Sequence, residues 1–268
     1  METLSFTESL HSRSNRLFLQ LRTALKFRRS GYRESGSEDL ALSPEAGVLE
    51  SRYGMGEFFT KLHSNNYLKN LSTLSWLENL QPFLGELPEQ MEILETGAHD
   101  FSRLPAIRNF FTLNNFSPAI TGLELDPFPI LTDLHSRADK ADYYISLTKN
   151  PGDKFLAGDF FKSALQADCI LSFYPFVSAN PALAWGLPAE FGSAEKWLEG
   201  FSRTLKPGGL LLVVHQGEWE EKEFDEARKN FPLELLARTE ANSAILTLPH
   251  PPCLSVYRRT RIPENLSS

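Results

Sequence analysis

The sequence predicts a doubly wound α/β fold, with a mostly parallel seven-strand sheet, an antiparallel C-terminal edge hairpin and an N-terminal helical extension. Three observations predict it. From Met91 onward, short apolar runs of strand length alternate with helix-length amphipathic segments, the pattern that parallel strands joined by right-handed crossovers produce. The last runs, Ala244–Leu248 and Cys253–Arg258, are separated by a short loop holding Pro249, Pro251 and Pro252, too short for a crossover helix, so they read as an antiparallel hairpin. Before Met91 the apolar residues recur at helical spacing instead.

Taken in order, residues 1–44 read as a basic amphipathic arm and linker. Between Ser9 and Arg33 lie seven basic residues (Arg13, Arg16, Arg22, Lys26, Arg28, Arg29 and Arg33) and no acid, on a stretch whose Leu17, Phe18, Leu21, Ala24 and Leu25 fall at helical spacing. The simplest reading lays that apolar face on the main domain and leaves the basic face in solvent. The alternative is docking to a protein or a membrane surface through residues 9–33; an organellar presequence fits poorly with Glu2 and Glu8. Ser30–Ser43, rich in Gly, Ser and Glu and followed by Pro44, reads as a mobile linker.

Residues 45–90 read as two or three helices ending near Pro82–Pro88, with Arg52–Phe59 placed to fold over a cleft as a lid; Phe58 and Phe59 suit a plain core equally well. Residues 91–260 form the α/β domain. Runs of strand character fall at Met91–Gly97, Ala119–Leu125, Lys154–Ala157, Asp168–Phe173, Leu210–His215 and Leu233–Arg238, ahead of the closing hairpin. Its helices are expected at Ser102–Asn114, Pro129–Tyr144 and Ser193–Thr204, and residues 261–268 are a tail.

A chain of 268 residues, 41% hydrophobic, suits one large domain with an extension and would cramp two. Its two cysteines, Cys169 and Cys253, lie in apolar runs, so neither a disulfide framework nor a metal site is read, and a reducing cytoplasm is the natural setting. No apolar run approaches the roughly 20 residues that cross a bilayer. A formal net charge of -7 disfavours a nucleic-acid partner, because counterion release rewards a basic surface.

In an open parallel sheet, ligands bind beyond the carboxyl ends of the strands, where the strand order reverses. The loop after the first strand reads Glu95-Thr96-Gly97-Ala98-His99-Asp100-Phe101, where Gly97 admits a close backbone approach and Asp100 or Ser102 can cap the helix that follows. The second strand ends in Glu124-Leu125-Asp126-Pro127, an acid about where a carboxylate meets ribose hydroxyls. Asp126 precedes Pro127 and Pro129 and reads as a helix cap, so ribose falls to Glu124. Gly158-Asp159-Phe160 suits an adenine, with the exocyclic amine on Asp159 and the ring on Phe160. Asp168–Ser172 and Leu205–Leu212 add a buried strand and a tight turn running into another.

This ordered set resembles the class I, Rossmann-like S-adenosylmethionine-dependent methyltransferases over residues 91–258, most specifically in Leu-Lys-Pro-Gly-Gly-Leu-Leu-Leu at 205–212, preceded by a helix containing Trp197, Leu198 and Phe201. The resemblance implies S-adenosylmethionine as cofactor, S-adenosylhomocysteine as product, and contacts from Glu95, Gly97, His99, Glu124, Asp159, Phe160 and Ser172. One departure stands out. The family's first loop has an acid and then three glycines at alternate positions, and here those positions read Glu95, Gly97, His99 and Phe101.

Methyl transfer from a sulfonium is an in-line displacement driven by positioning, so the acceptor leaves little mark on a sequence. The expected activity is O- or N-methylation of a small-molecule acceptor, with His215 as candidate base and Tyr174 beside it at the strand ends. A methyltransferase-like module that has lost catalysis and serves in binding or assembly is the alternative, suggested by His99 and Phe101. The acidic run from Glu218 to Glu226 reads as a helix start favoured by the helix dipole.

Overall fold

Along the Leu210–Val214 run, Leu210, Leu212 and Val214 pack into one apolar cluster, and Leu211 and Val213 into another, so each face of the sheet carries a core. Unbroken apolar runs demand this, since successive side chains point to opposite faces and both must be covered. The structure, a computed structural model, describes residues 4–37, 40–241, 245–246 and 250–260.

The strands are β1 (Gln90–Thr96), β2 (Ser117–Glu124), β3 (Lys154–Ala157), β4 (Ala167–Phe173), β5 (Leu205–His215), β6 (Leu233–Glu240) and β7 (Cys253–Arg259). They form one seven-stranded sheet in the order β3-β2-β1-β4-β5-β7-β6. The first five are parallel, and β7 inserts antiparallel between β5 and β6. The helices are α1 (Phe6–Leu25), α2 (Pro44–Arg52), α3 (Ser64–Leu77), α4 (Leu104–Leu113), α5 (Arg137–Thr148), α6 (Ala179–Ala184), α7 (Ala194–Thr204) and α8 (Glu218–Arg228). Residues of α2 to α5 join the cluster on one face of the sheet, and residues of α7 and α8 the cluster on the other. No described helix is long and apolar enough to cross a membrane.

The doubly wound sheet with its antiparallel edge is as the sequence predicts, with corrections in detail. The partner of β7 is β6, not Ala244–Leu248: Ile245 and Leu246 lie in a bend, and residues 244, 247 and 248 fall outside the described residues, as does the 261–268 tail. The Lys206–Gly209 turn is the irregular start of β5, shifted in register against β4, with Gly209 so close to the Asp168 carbonyl that a Cβ would stand 2.8 Å from its oxygen. The helix expected from Pro129 begins at Arg137, where Ser136 and Asp139 form a capping box. Asp126 caps no helix; its carboxylate meets the Arg22 guanidinium at 2.7 Å.

The largest corrections concern the N-terminal arm. Helix α1 does not bury its apolar face. It packs through the opposite side, where Leu19 is buried, Asn15 donates to the carbonyls of Leu183 and Leu187 at 3.2 and 2.9 Å and Ser12 accepts from the Ala189 amide at 3.0 Å. Leu17, Phe18, Leu21 and Leu25 stay exposed.

Nor is the stretch after α1 a free linker. Arg28 pairs with Asp139 at 2.9 Å, the Glu34 carboxylate accepts from the His63 amide at 2.8 Å and from the Tyr32 and Tyr144 hydroxyls, and the Ser37 amide donates to the Phe59 carbonyl at 3.0 Å. Gly36 makes this strap possible, because a Cβ there would lie 2.3 Å from the Thr60 carbonyl oxygen. Gly36→Ala is therefore expected to lift the strap and cost about 1–3 kcal/mol in denaturant unfolding. An unchanged midpoint would show that the strap contributes nothing to the body.

Candidate functional site

The chain runs from β1 outward through β2 and β3, then returns through β4 to the other side, so the order of the sheet reverses between β1 and β4. A cavity of about 560 Å3 opens at the carboxyl ends of these strands. Its walls include Gly97 and His99 after β1, Glu124 at the end of β2, Asp159 and Phe160 after β3, and Tyr174 after β4. This is where an open α/β sheet places ligands.

The β1 loop is built in an unusual way. Gly97, His99 and Phe101 all hold left-handed backbone, with φ of 62°, 54° and 61°. Only glycine enters that region freely, and other residues pay roughly 1–2 kcal/mol each. Two devices hold the loop there. The Phe101 ring is fully buried over Gly122 of β2, where a Cβ would come within 2.8 Å of the ring. The His99 amide donates to Glu124 Oε2 at 2.8 Å, latching loop to strand. The loop thus holds left-handed backbone at two positions that are not glycine. Tyr174 is a further non-glycine residue in left-handed backbone at the rim, with φ of 59°. Strain of this kind concentrates at functional sites.

Below the loop lies a carboxyl group with no hydrogen-bond partner among the described residues. Glu95 is fully buried, neither of its oxygens accepts a hydrogen bond among the described residues, and the Arg103 guanidinium stands 3.8 Å away. Burial pushes its pKa up to about 8, against the pull of Arg103. Folding therefore holds a proton that the unfolded chain releases above pH 4.5, so this contribution to stability is present at acidic pH and lost as pH rises toward 8. Glu95→Gln is expected to remove a slope approaching about 1.4 kcal/mol per pH unit across that window. Parallel pH profiles of wild type and variant, measured by denaturant unfolding, would show no Glu95 term if they superimpose. Thr96 Oγ1 and Ser172 Oγ, at neighbouring strand ends, are also buried without partners. Orphaned polar atoms at these strand ends, beside a left-handed loop, fit a polar ligand that supplies missing bonds.

Cations line the same space. Lys69 of α3 and Arg103 and Arg137 at the starts of α4 and α5 face the cavity. Lys69 Nζ donates to Ser102 Oγ at 2.9 Å, and burial lowers its pKa. Burial opposes ionisation of Asp100, but His99, Lys69 and Ser102 together hold its carboxyl well below the usual range. The Arg103 guanidinium lies 4.5 Å from the centre of the Phe173 ring. Arg137 meets Glu124 Oε1 at 3.2 Å, and the Asp126 amide donates to the same oxygen at 3.0 Å.

Of the residues singled out in the sequence, Gly97, His99, Glu124, Asp159, Phe160 and Tyr174 line the cavity. Glu95 and Ser172 are brought beneath it, buried rather than lining. Asp159 caps the short turn that follows it, accepting from the Phe161 amide at 2.9 Å, and Phe160 stacks on Trp197. His215 does not reach the cavity. It is fully buried against Phe224, and burial together with Arg238 pushes its pKa down to about 3, so it remains neutral away from any acceptor. Arg52–Phe59 supplies no lid, because Phe58 is core and none of these residues lines the space; the extension contributes Lys69 instead. Lys69 had a visible signal, being the sole cation in the 64–77 segment. Arg137 had none, since its approach to Glu124 depends on the 125–136 loop.

Comparison with solved structures places this architecture. It is similar to a protein described as a class I S-adenosylmethionine-dependent methyltransferase from Listeria monocytogenes, with TM-score 0.52 and 14% identity over 82% of this chain and 68% of that one. It is also similar to geranyl diphosphate C-methyltransferase from Streptomyces coelicolor, solved with Mg2+, geranyl diphosphate and S-adenosyl-L-homocysteine, with TM-score 0.50 and 11% identity over 92% and 98%. The fold is that of the class I methyltransferases. TrmN from Thermus thermophilus aligns at 15% identity and TM-score 0.48, and this chain spans only 48% of its length. No family model and no curated protein matches the sequence. What the Listeria and Streptomyces structures share with this chain, at 14% and 11% identity, is the fold.

Proposed function

We propose that the chain binds S-adenosylmethionine in the carboxyl-edge cavity and methylates a small-molecule acceptor at oxygen or nitrogen. The observation that carries this reading is the β1 loop, whose left-handed backbone at Gly97, His99 and Phe101 is maintained at a conformational cost. A ligand that meets the loop would offset that strain.

Bound there, S-adenosylmethionine supplies a methyl group on a cationic sulfonium. Glu124 is the residue for the ribose: a carboxylate has about four acceptor sites, and the His99 and Asp126 amides fill two of Glu124's. The ribose then competes with Arg137 for the others. Phe160 and Asp159 flank the adenine side. Glu95, Thr96 and Ser172 offer polar atoms that lack partners near the loop. Tyr174, Phe176 and Trp185 form an aromatic wall that orients the acceptor and excludes water. Burial raises the Tyr174 pKa, so its hydroxyl stays protonated and serves as a hydrogen-bonding group rather than as a base.

His99 on the cavity wall favours a second reading, a methyltransferase-like binding module without turnover. Incubation with methyl-labelled S-adenosylmethionine and a cell extract fractionated by size separates the possibilities. Label in the small-molecule fraction is the expected result. Label in protein or RNA would overturn the acceptor class, and cofactor binding without transfer would favour the binding module.

A further inference from the structure

Helix α1 presents an unpartnered apolar face. Phe6, Leu10, Leu17, Phe18, Leu21 and Leu25 project from one arc of a single 20-residue helix, and all are exposed, Phe6 at 84%, Leu10 at 61% and Leu25 at 79% of their full surface. Exposed Leu or Phe residues are ordinary singly; six along one arc of a helix make an interaction surface. The polar side of the same helix is already committed to the body through Ser12, Asn15 and Arg16, so the stripe faces outward by construction.

The charge around the stripe selects its occupant. Arg13, Lys26 and Arg29 are exposed and belong to no ion pair among the described residues. They sit beside the stripe or just beyond its C-terminal end, on a chain whose net charge is -7. A second copy would set these cations against their own kind. An anionic lipid surface satisfies both features, taking the apolar side chains into the acyl boundary and the cations among its headgroups.

We infer that α1 seats the protein on an anionic lipid surface through its exposed apolar stripe. The helix is fastened to the segment that walls the cavity: Asn15 holds the carbonyls of Leu183 and Leu187, and Leu187, Trp185 and Phe191 line the cavity. Seating α1 therefore holds that wall one helix diameter, ~10 Å, from the lipid boundary, close to where an amphiphilic acceptor would be met. The lipid contact itself rests on α1 alone and stands or falls independently of the methyltransferase reading.

The test is sedimentation of the full chain with vesicles of phosphatidylcholine, with and without phosphatidylglycerol. Binding is expected to the phosphatidylglycerol vesicles and to weaken with salt. The triple substitution Leu17→Gln, Leu21→Gln, Leu25→Gln, whose side chains are exposed, is expected to weaken binding at least roughly ten-fold while the circular dichroism spectrum is kept. Arg13→Glu should weaken it by roughly five-fold or more and flatten the salt dependence. No binding to either vesicle, or binding that the triple variant leaves unchanged, overturns the proposal. So does a concentration-dependent dimer that the same variant dissolves in the absence of vesicle binding, which would assign the stripe to a second copy.

Discussion

Replacing Phe101 with glycine is expected to destabilise the protein by about 2–4 kcal/mol, although it restores the residue that the methyltransferase loop pattern has at this position. Removing a buried phenylalanine side chain costs about 3–5 kcal/mol. Relief of the left-handed backbone returns about 1 kcal/mol of that. The ring is fully buried, packs 6.0 Å from Phe155 and occupies the space that Gly122 leaves open. Denaturant unfolding gives the value directly. Gly122→Ala should also destabilise the wild type, by crowding the ring, and should cost much less in the Phe101→Gly background, since the two positions share one volume. His99→Gly behaves differently: the side chain is partly exposed at the cavity wall, so the loss should be confined to its 3.3 Å contact with Asp100 while the cavity widens. A stable Phe101→Gly protein would show that the ring does not hold the loop.

Substituting Glu124 with alanine is expected to weaken S-adenosylmethionine binding by about 1–3 kcal/mol, or roughly 5- to 150-fold. Two losses combine. One is the charge-assisted acceptor for the ribose. The other is the latch that holds the His99 amide at 2.8 Å and so fixes the loop. Glu124→Gln separates them, because it keeps an acceptor for the amide while giving up the charge. An intermediate affinity is expected for Gln, and an alanine variant that binds as tightly as wild type would remove Glu124 from the site.

The fold was legible because the relevant signals are periodic and local. Strands such as Asp168–Phe173 are continuous apolar runs, and the α7 helix carries Trp197, Leu198 and Phe201 on one buried face. The arm was misread because periodicity reports that an apolar face exists, not what covers it. The polar contacts of Ser12 and Asn15 decide its orientation, and those partners lie about 170 residues away. The strap was misread for a related reason: Gly36 looks like linker composition, yet it is there to let two backbones touch. In the site, Glu124, Asp159 and Gly97 stand at strand ends and were readable from their place in the order of elements. His215 also ends a strand, but the pairing of β5 with β7 and the Phe224 ring bury it away from the cavity. The compensation between Phe101 and Gly122 could not be read at all, since it joins a loop to a neighbouring strand through side-chain volume.

On the proposed reading, a strained loop with His99 and Phe101 at left-handed positions forms the cofactor site. Calorimetric titration of the full chain with S-adenosylmethionine and S-adenosylhomocysteine tests it most directly. Saturable binding of both at one site per chain, weakened by Glu124→Ala, is the result predicted. Absence of binding by either compound to protein shown to be folded would contradict it.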